Sequence, residues 1–152
     1  MKPQFNKEML NNNSLDSLIS IIDRSFKIAC LDKFDELDLT FHNYMTLEFI
    51  YNHENVIQKD LARLFHRNQS TITRSIDKLE NKGFVERIHD DNNKKNNIII
   101  LTTKGQKAVE EINSFKKDLE KNLVYNFTEN EREIFKKLLN RLIHNFNSYI
   151  FK

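Results

Sequence analysis

Six side chains within one short stretch can do recognisable chemistry together. Gln69, Ser70, Thr71, Thr73, Arg74 and Lys78 all form hydrogen bonds, and none is a long acid. On a helix they share the side opposite Ile72, Ile76 and Leu79, which recur at i, i+4, i+7 spacing. Short donors and acceptors near a helix start suit base edges in the DNA major groove. Cations at their flank suit phosphate. The set therefore predicts Gln69, Ser70, Thr71, Thr73 and Arg74 at bases, with Arg67, Lys78, Lys94 and Lys95 on phosphates. A merely solvated helix face is the plainer alternative, and the neighbouring elements weigh against it.

Those elements must present the helix. QKDLARLF puts Leu61, Leu64 and Phe65 at helical spacing, and His66 and Arg67 make a brief link. Asn68 offers a side-chain oxygen where the second helix needs its N-cap, and Gly83 stands where that helix ends. FVERI and NIIIL read as β runs around a polar turn, DDNNKK. Helix, tight turn, helix, hairpin is the order of a winged helix-turn-helix.

LTFHNYMTL, DLARLFHRNQSTITRSIDKLENKGFVER and NNKKNNIIILTTKG together resemble the MarR family of bacterial transcriptional regulators, over about residues 39–109. The resemblance implies pairing through N- and C-terminal helices. It also implies an Asp-Arg pair at the wing tip, where this chain has Asn93, Lys94 and Lys95. Lys meets phosphate as a point charge and lacks the planar fork that suits the minor groove. The family often has a hydroxyl cap where Ile57 stands, so either Asn55 caps the first helix of the core or that helix starts differently.

Length and composition set the frame. The chain has 152 residues, 39% hydrophobic and 30% charged, which allows one domain with a real core. No apolar run approaches the ~20 residues of a membrane span, and the polar start MKPQFNKEMLNNN has no secretory core, so a cytoplasmic protein is expected. One cysteine fits that compartment and excludes an internal disulfide. Net charge is only +2, but it is unevenly spread. Residues 1–62 carry 6 basic against 10 acidic side chains, residues 63–95 carry 8 against 5, and residues 96–152 carry 10 against 7. Positive charge begins with the helix-turn-helix, the sign that duplex DNA requires.

The flanking segments read as long helices. Ser14 is expected to cap the first, with Leu15, Leu18, Ile19, Ile22, Phe26 and Ala29 in period, and charged DKFDELD to end it. Thr40 caps the next. Thr102 caps a long helix after the wing, and Thr128 with Glu131 forms a capping box for the last. That last helix carries Ile134, Phe135, Leu138, Leu139, Leu142, Ile143, Phe146 and Ile150, a stripe too wide for one neighbour. A homodimer on a pseudo-palindromic operator follows; helices folding back within a monomer are the alternative. The expected fold is mainly α with a small β-hairpin wing: a dimerisation helix (residues 1–38), a winged helix-turn-helix lobe (39–101) and C-terminal dimerisation helices (102–152), intertwined as one domain.

Other chemistry has less to stand on. There is no Gly-rich phosphate loop, GxSxG, HExxH or CxxC, so no enzyme, catalytic residue or cofactor is expected. The five histidines include no i, i+4 pair, and residues 102–125, where the resemblance implies histidines in zinc-responsive relatives, contain none; no metal is expected. The resemblance also implies a small aromatic effector, for which Phe26, Phe34, Phe41, Tyr44 and Tyr51 are the candidate lining, with plain core packing the alternative. It raises redox sensing at Cys30, but Asp32, Asp35, Glu36 and Asp38 crowd that thiol with negative charge. The expected function is a DNA-binding repressor relieved by a small ligand. The alternatives are a winged-helix protein-interaction module without DNA binding and a Cys30-based redox sensor.

Overall fold

A computed structural model describes residues 14–89 and 97–150. The turn with Asp90, Asp91, Asn93, Lys94 and Lys95 lies outside the described residues, as does the polar start MKPQFNKEMLNNN. Helix α1 (Leu15–Glu36) is followed by α2 (Phe41–Asn52), α3 (Gln58–Leu64) and α4 (Gln69–Asn81). Strands β1 (Val85–His89) and β2 (Asn97–Leu101) pair antiparallel, Val85 opposite Leu101 and His89 opposite Asn97. Helices α5 (Thr103–Leu123) and α6 (Glu129–Ile150) follow. The mainly α fold with a hairpin wing is as expected. No described helix is long and apolar enough to cross a membrane.

Local hydrogen bonds explain most of the boundaries. Thr40 and Asn43 exchange reciprocal capping bonds, each 3.1 Å, at the start of α2. Gly105 N–H donates to Thr102 Oγ1 at 3.1 Å, and Thr128 N–H to the Glu131 carboxylate at 2.8 Å. The bonds from Thr128 hold that exposed carboxyl below its usual range. Helix α4 closes with Gly83 at φ 74, its N–H on Glu80 O at 2.8 Å and Phe84 N–H on Leu79 O at 2.9 Å. This is a Schellman end.

The charged stretch DKFDELD ends α1 as expected: the helix runs to Glu36, and the chain turns at Asp38, in the left-handed region at φ 53, with Leu39 N–H on Phe34 O at 2.9 Å. Two boundaries differ from expectation. Ser14 occupies the N-cap position, but its hydroxyl pairs with Ser17 Oγ at 3.1 Å and not with the backbone. Asn55 does not cap α3. It bends the chain at φ 54, and Ile57 takes the N-cap place with its N–H held by the Asp60 carboxylate at 3.1 Å. Ile57 must be extended there because it bridges to Ile98, next to the bond from Ile99 N–H to Val56 O at 2.8 Å.

The chain divides into two compact units, one reaching to Asn113 and the other starting at Ser114. In the first, Leu47, Leu61, Ile72, Ile76, Leu79, Phe84, Val85, Ile99, Val109 and Ile112 are all at most 2% exposed. They come from α2, α3, α4, both strands and α5, so one core fixes the helix-turn-helix and the root of the wing. Gly105 makes a close approach possible: a Cβ there would stand 2.1 Å from Phe84 O. In the second unit α6 has no buried residue.

Candidate nucleic-acid interface

Helix α4 is seated by Ile72, Ile76 and Leu79, all buried, so its opposite side faces outward. Gln69, Ser70, Thr71, Arg74 and Lys78 are exposed on that side. Asn68 organises the near end. Its Oδ1 accepts from Thr71 N–H at 2.9 Å, Thr71 Oγ1 at 2.7 Å and Ser70 Oγ at 2.9 Å. One amide oxygen thus caps the helix and orients two hydroxyls, whose oxygen lone pairs remain open to solvent. His66, at φ 49, makes the sharp turn that brings α4 across α3.

Thr73 stands apart from the other expected base readers. It is half-buried, and its hydroxyl lies 2.9 Å from both Gln58 Oε1 and Gln69 O, so it ties α4 to the start of α3. Arg67 is exposed in the turn before α4. Burial, and then the Arg67 charge, push the nearby His42 imidazole below its usual pKa, and that ring lies 4.4 Å from Phe65. A positive charge on His42 beside Arg67 is thus disfavoured.

The acids of α4 are held on its wing side. Arg87 Nη2 donates to Asp77 at 2.5 Å, Arg87 Nη1 donates to Glu80, and Arg87 N–H reaches Glu80 at 3.3 Å. Arg74 and Lys78 have no side-chain hydrogen-bond or ion-pair partner among the described residues, so no described acid neutralises these two cations of the open face. Sequence reasoning missed Arg87. A signal was present: Arg87 pairs with buried Ile99 and alternates with buried Val85, so it sits on the inner side of its strand. A cation on that side needs a carboxylate.

Among the described residues, Phe34, Phe41 and Tyr44 pack together, and Tyr51 borders a separate cleft. Phe34 and Tyr44 are buried, and Phe34 packs on Phe41 and Tyr44 at 5.9 and 5.7 Å between ring centroids. Burial and the Glu48 carboxylate keep the Tyr44 phenol protonated, and it donates to Asn113 at 2.8 Å. Phe26 is half-buried on α1. Tyr51 stands two turns beyond Tyr44, about 10 Å along the helix. It lines a cleft of ≈ 450 Å³ with Ile88, Ile98 and Gln106, which none of the other four aromatics borders. Cys30 is fully buried among the described residues.

Comparison with known proteins agrees with this geometry. The sequence profile of the MarR family matches residues 39–96. The uncharacterized HTH-type transcriptional regulator YybA of Bacillus subtilis (strain 168) is 32% identical over 127 residues, covering 84% of this chain and 85% of its own. BilQ of Clostridioides difficile (strain CD3), also an HTH-type transcriptional regulator, is 25% identical over 130 residues, 85% of this chain and 88% of its own. Among solved structures, MarR superposes with a TM-score of 0.78 at 29% identity, covering 97% of each chain. MepR of S. aureus, in complex with DNA, gives 0.76 at 27% identity, with 88% of this chain and 99% of the other covered.

Proposed function

The chain belongs to the MarR family of DNA-binding transcriptional regulators, and from that premise we propose that it is a homodimeric repressor that occludes a promoter at a pseudo-palindromic site. The observation that carries this is the outward side of α4, with polar groups at its start, cations that no described acid pairs with and a buried stripe behind it. Gln69, Ser70, Thr71 and Arg74 meet base edges, and Thr73 holds their helix on α3. Arg67 and Lys78 meet phosphate, joined by Lys94 and Lys95 of the wing.

Dimerisation is supported by apolar surface that no described residue covers. Along α6, Ile134, Phe135, Leu138, Leu139, Ile143, Phe146, Tyr149 and Ile150 are each 40–79% exposed, and on α1 Leu15 and Ile22 are each 62% exposed. Faces of that extent are the mark of an interface. A two-fold axis would set two α4 helices about one DNA turn apart, ~34 Å. Relief of repression by a small aromatic ligand belongs to the same proposal. It requires the ligand to bind the DNA-incompetent spacing of the two lobes better than the competent one.

Selection of bound fragments from random duplex DNA at two salt concentrations tests the reading. An inverted-repeat sequence should emerge, with affinity falling steeply as salt rises. With that sequence in hand, Arg74→Ala should cost ~1–3 kcal/mol and relax preference at one base position. Lys78→Ala should weaken all sequences alike and lower the salt slope by about one. Binding that ignores salt and sequence would instead point to a protein-docking winged helix.

A further inference from the structure

Recognition helices that read DNA through arginine face an internal hazard: an acid one turn away can take the guanidinium first. Residues three apart on a helix are neighbours, and Asp77 stands three after Arg74. Nevertheless Arg74 has no partner among the described residues, while Asp77 is bound at 2.5 Å by Arg87. The same guanidinium holds Glu80 with its other nitrogen, and the strand's own N–H donates to Glu80 at 3.3 Å. The Arg87 side chain is 17% exposed, so its fork is largely shielded and fixed from two sides.

We infer that Arg87 is a positioning residue for DNA recognition: by sequestering Asp77, and Glu80 beside it, the wing strand leaves Arg74 free for a base. This rests on the proposed DNA reading and adds a division of labour within it. Arg87 touches no DNA. It acts through Arg74, and its loss releases an anion within reach of the reading side chain. The wing root and the recognition helix are thereby coupled electrostatically as well as through the apolar core.

The arrangement separates this role from simple support of the fold. The selected operator and a variant with the Arg74-dependent base pair changed are titrated with full-length protein at one salt concentration. Wild type should discriminate between them, and Arg87→Ala should lose at least about fivefold of that preference, the low end of what one Arg–base contact supplies. Adding Asp77→Asn to Arg87→Ala should restore most of the preference, since the competing charge is gone even though no ion pair has been rebuilt. Asp77→Asn alone, which also breaks the pair, should keep it. Unchanged discrimination in Arg87→Ala overturns the inference. So does a double variant no better than the single, because that outcome marks a structural role only. Should Arg87→Ala fail to fold, loss of preference in Asp77→Asn overturns it on its own. Wild type that binds no duplex at low salt removes the DNA reading itself, a result that none of the variants can produce.

Discussion

Replacing Asn68 by Asp should separate folding from DNA binding at a single atom. Asn68 Oδ1 accepts three bonds, from Thr71 N–H at 2.9 Å and from the Thr71 and Ser70 hydroxyls at 2.7 and 2.9 Å. A carboxylate oxygen in the same place accepts all three and accepts them more strongly. Asp is as good an N-cap as Asn, and a negative charge at a helix start adds about 0.3–1 kcal/mol. Stability should therefore hold or rise by up to about 1 kcal/mol, a few degrees in Tm for a chain of this size. DNA binding should respond in the opposite sense. The new charge stands at the end of α4 that meets the duplex, and at roughly 7 Å from a phosphate and an effective dielectric near 40 the repulsion is about 1 kcal/mol. Affinity should fall about fivefold for each half-site, more at low salt than at high. Asn68→Ala should behave differently, losing about 0.5–2 kcal/mol of stability with the cap and freeing both hydroxyls. Urea midpoints give the first quantity, and fluorescence anisotropy with the selected operator gives the second. An Asp variant that is as stable as wild type and binds operator equally well would refute the reasoning, since the N-terminus of α4 could not then face phosphate. An Asp variant less stable than the Ala variant would refute the cap.

Two other perturbations follow from the packing. Gly105→Ala places a methyl 2.1 Å from Phe84 O, beside the bond from Thr102 N–H to that oxygen at 3.1 Å, and should cost about 2–4 kcal/mol in urea unfolding through overpacking and the lost bond. Gly83→Ala meets nothing within 4 Å and bears only the cost of its φ of +74, about 1–2 kcal/mol; equal losses for the two glycines would argue against the close approach. In α6, where Phe135 is 41% and Leu138 52% exposed, the double change to Glu should leave a chain that sediments as a monomer and binds operator far more weakly. A monomer in wild type, or an unaltered dimer in the variant, would remove the two-fold arrangement.

The sequence by itself determined the elements whose boundaries are local. The caps at Thr40, Asn68, Thr102 and Thr128 each use a partner three residues on. Gly83 closes α4 with bonds inside one turn. Such contacts depend on neighbours in the chain, so residue type and spacing reveal them, and the apolar period of α4 gave its open face directly. A cap at Asn55 failed because the start of α3 is set by Ile98, a wing residue distant in sequence that holds Ile57 extended. Thr73 looked like its neighbours by period, yet Gln58, fifteen residues earlier, turns its hydroxyl inward. Tyr51, two turns beyond buried Tyr44, borders a cleft formed with the wing strands, a neighbourhood that the order of residues does not show. Arg87 is the clearest case. Only the tertiary structure, by laying β1 beside α4, decided which of the charges on and beside the recognition helix cancel one another and which stay open. Which charges cancel depends on distances through space, and these are set when the hairpin packs against the helix.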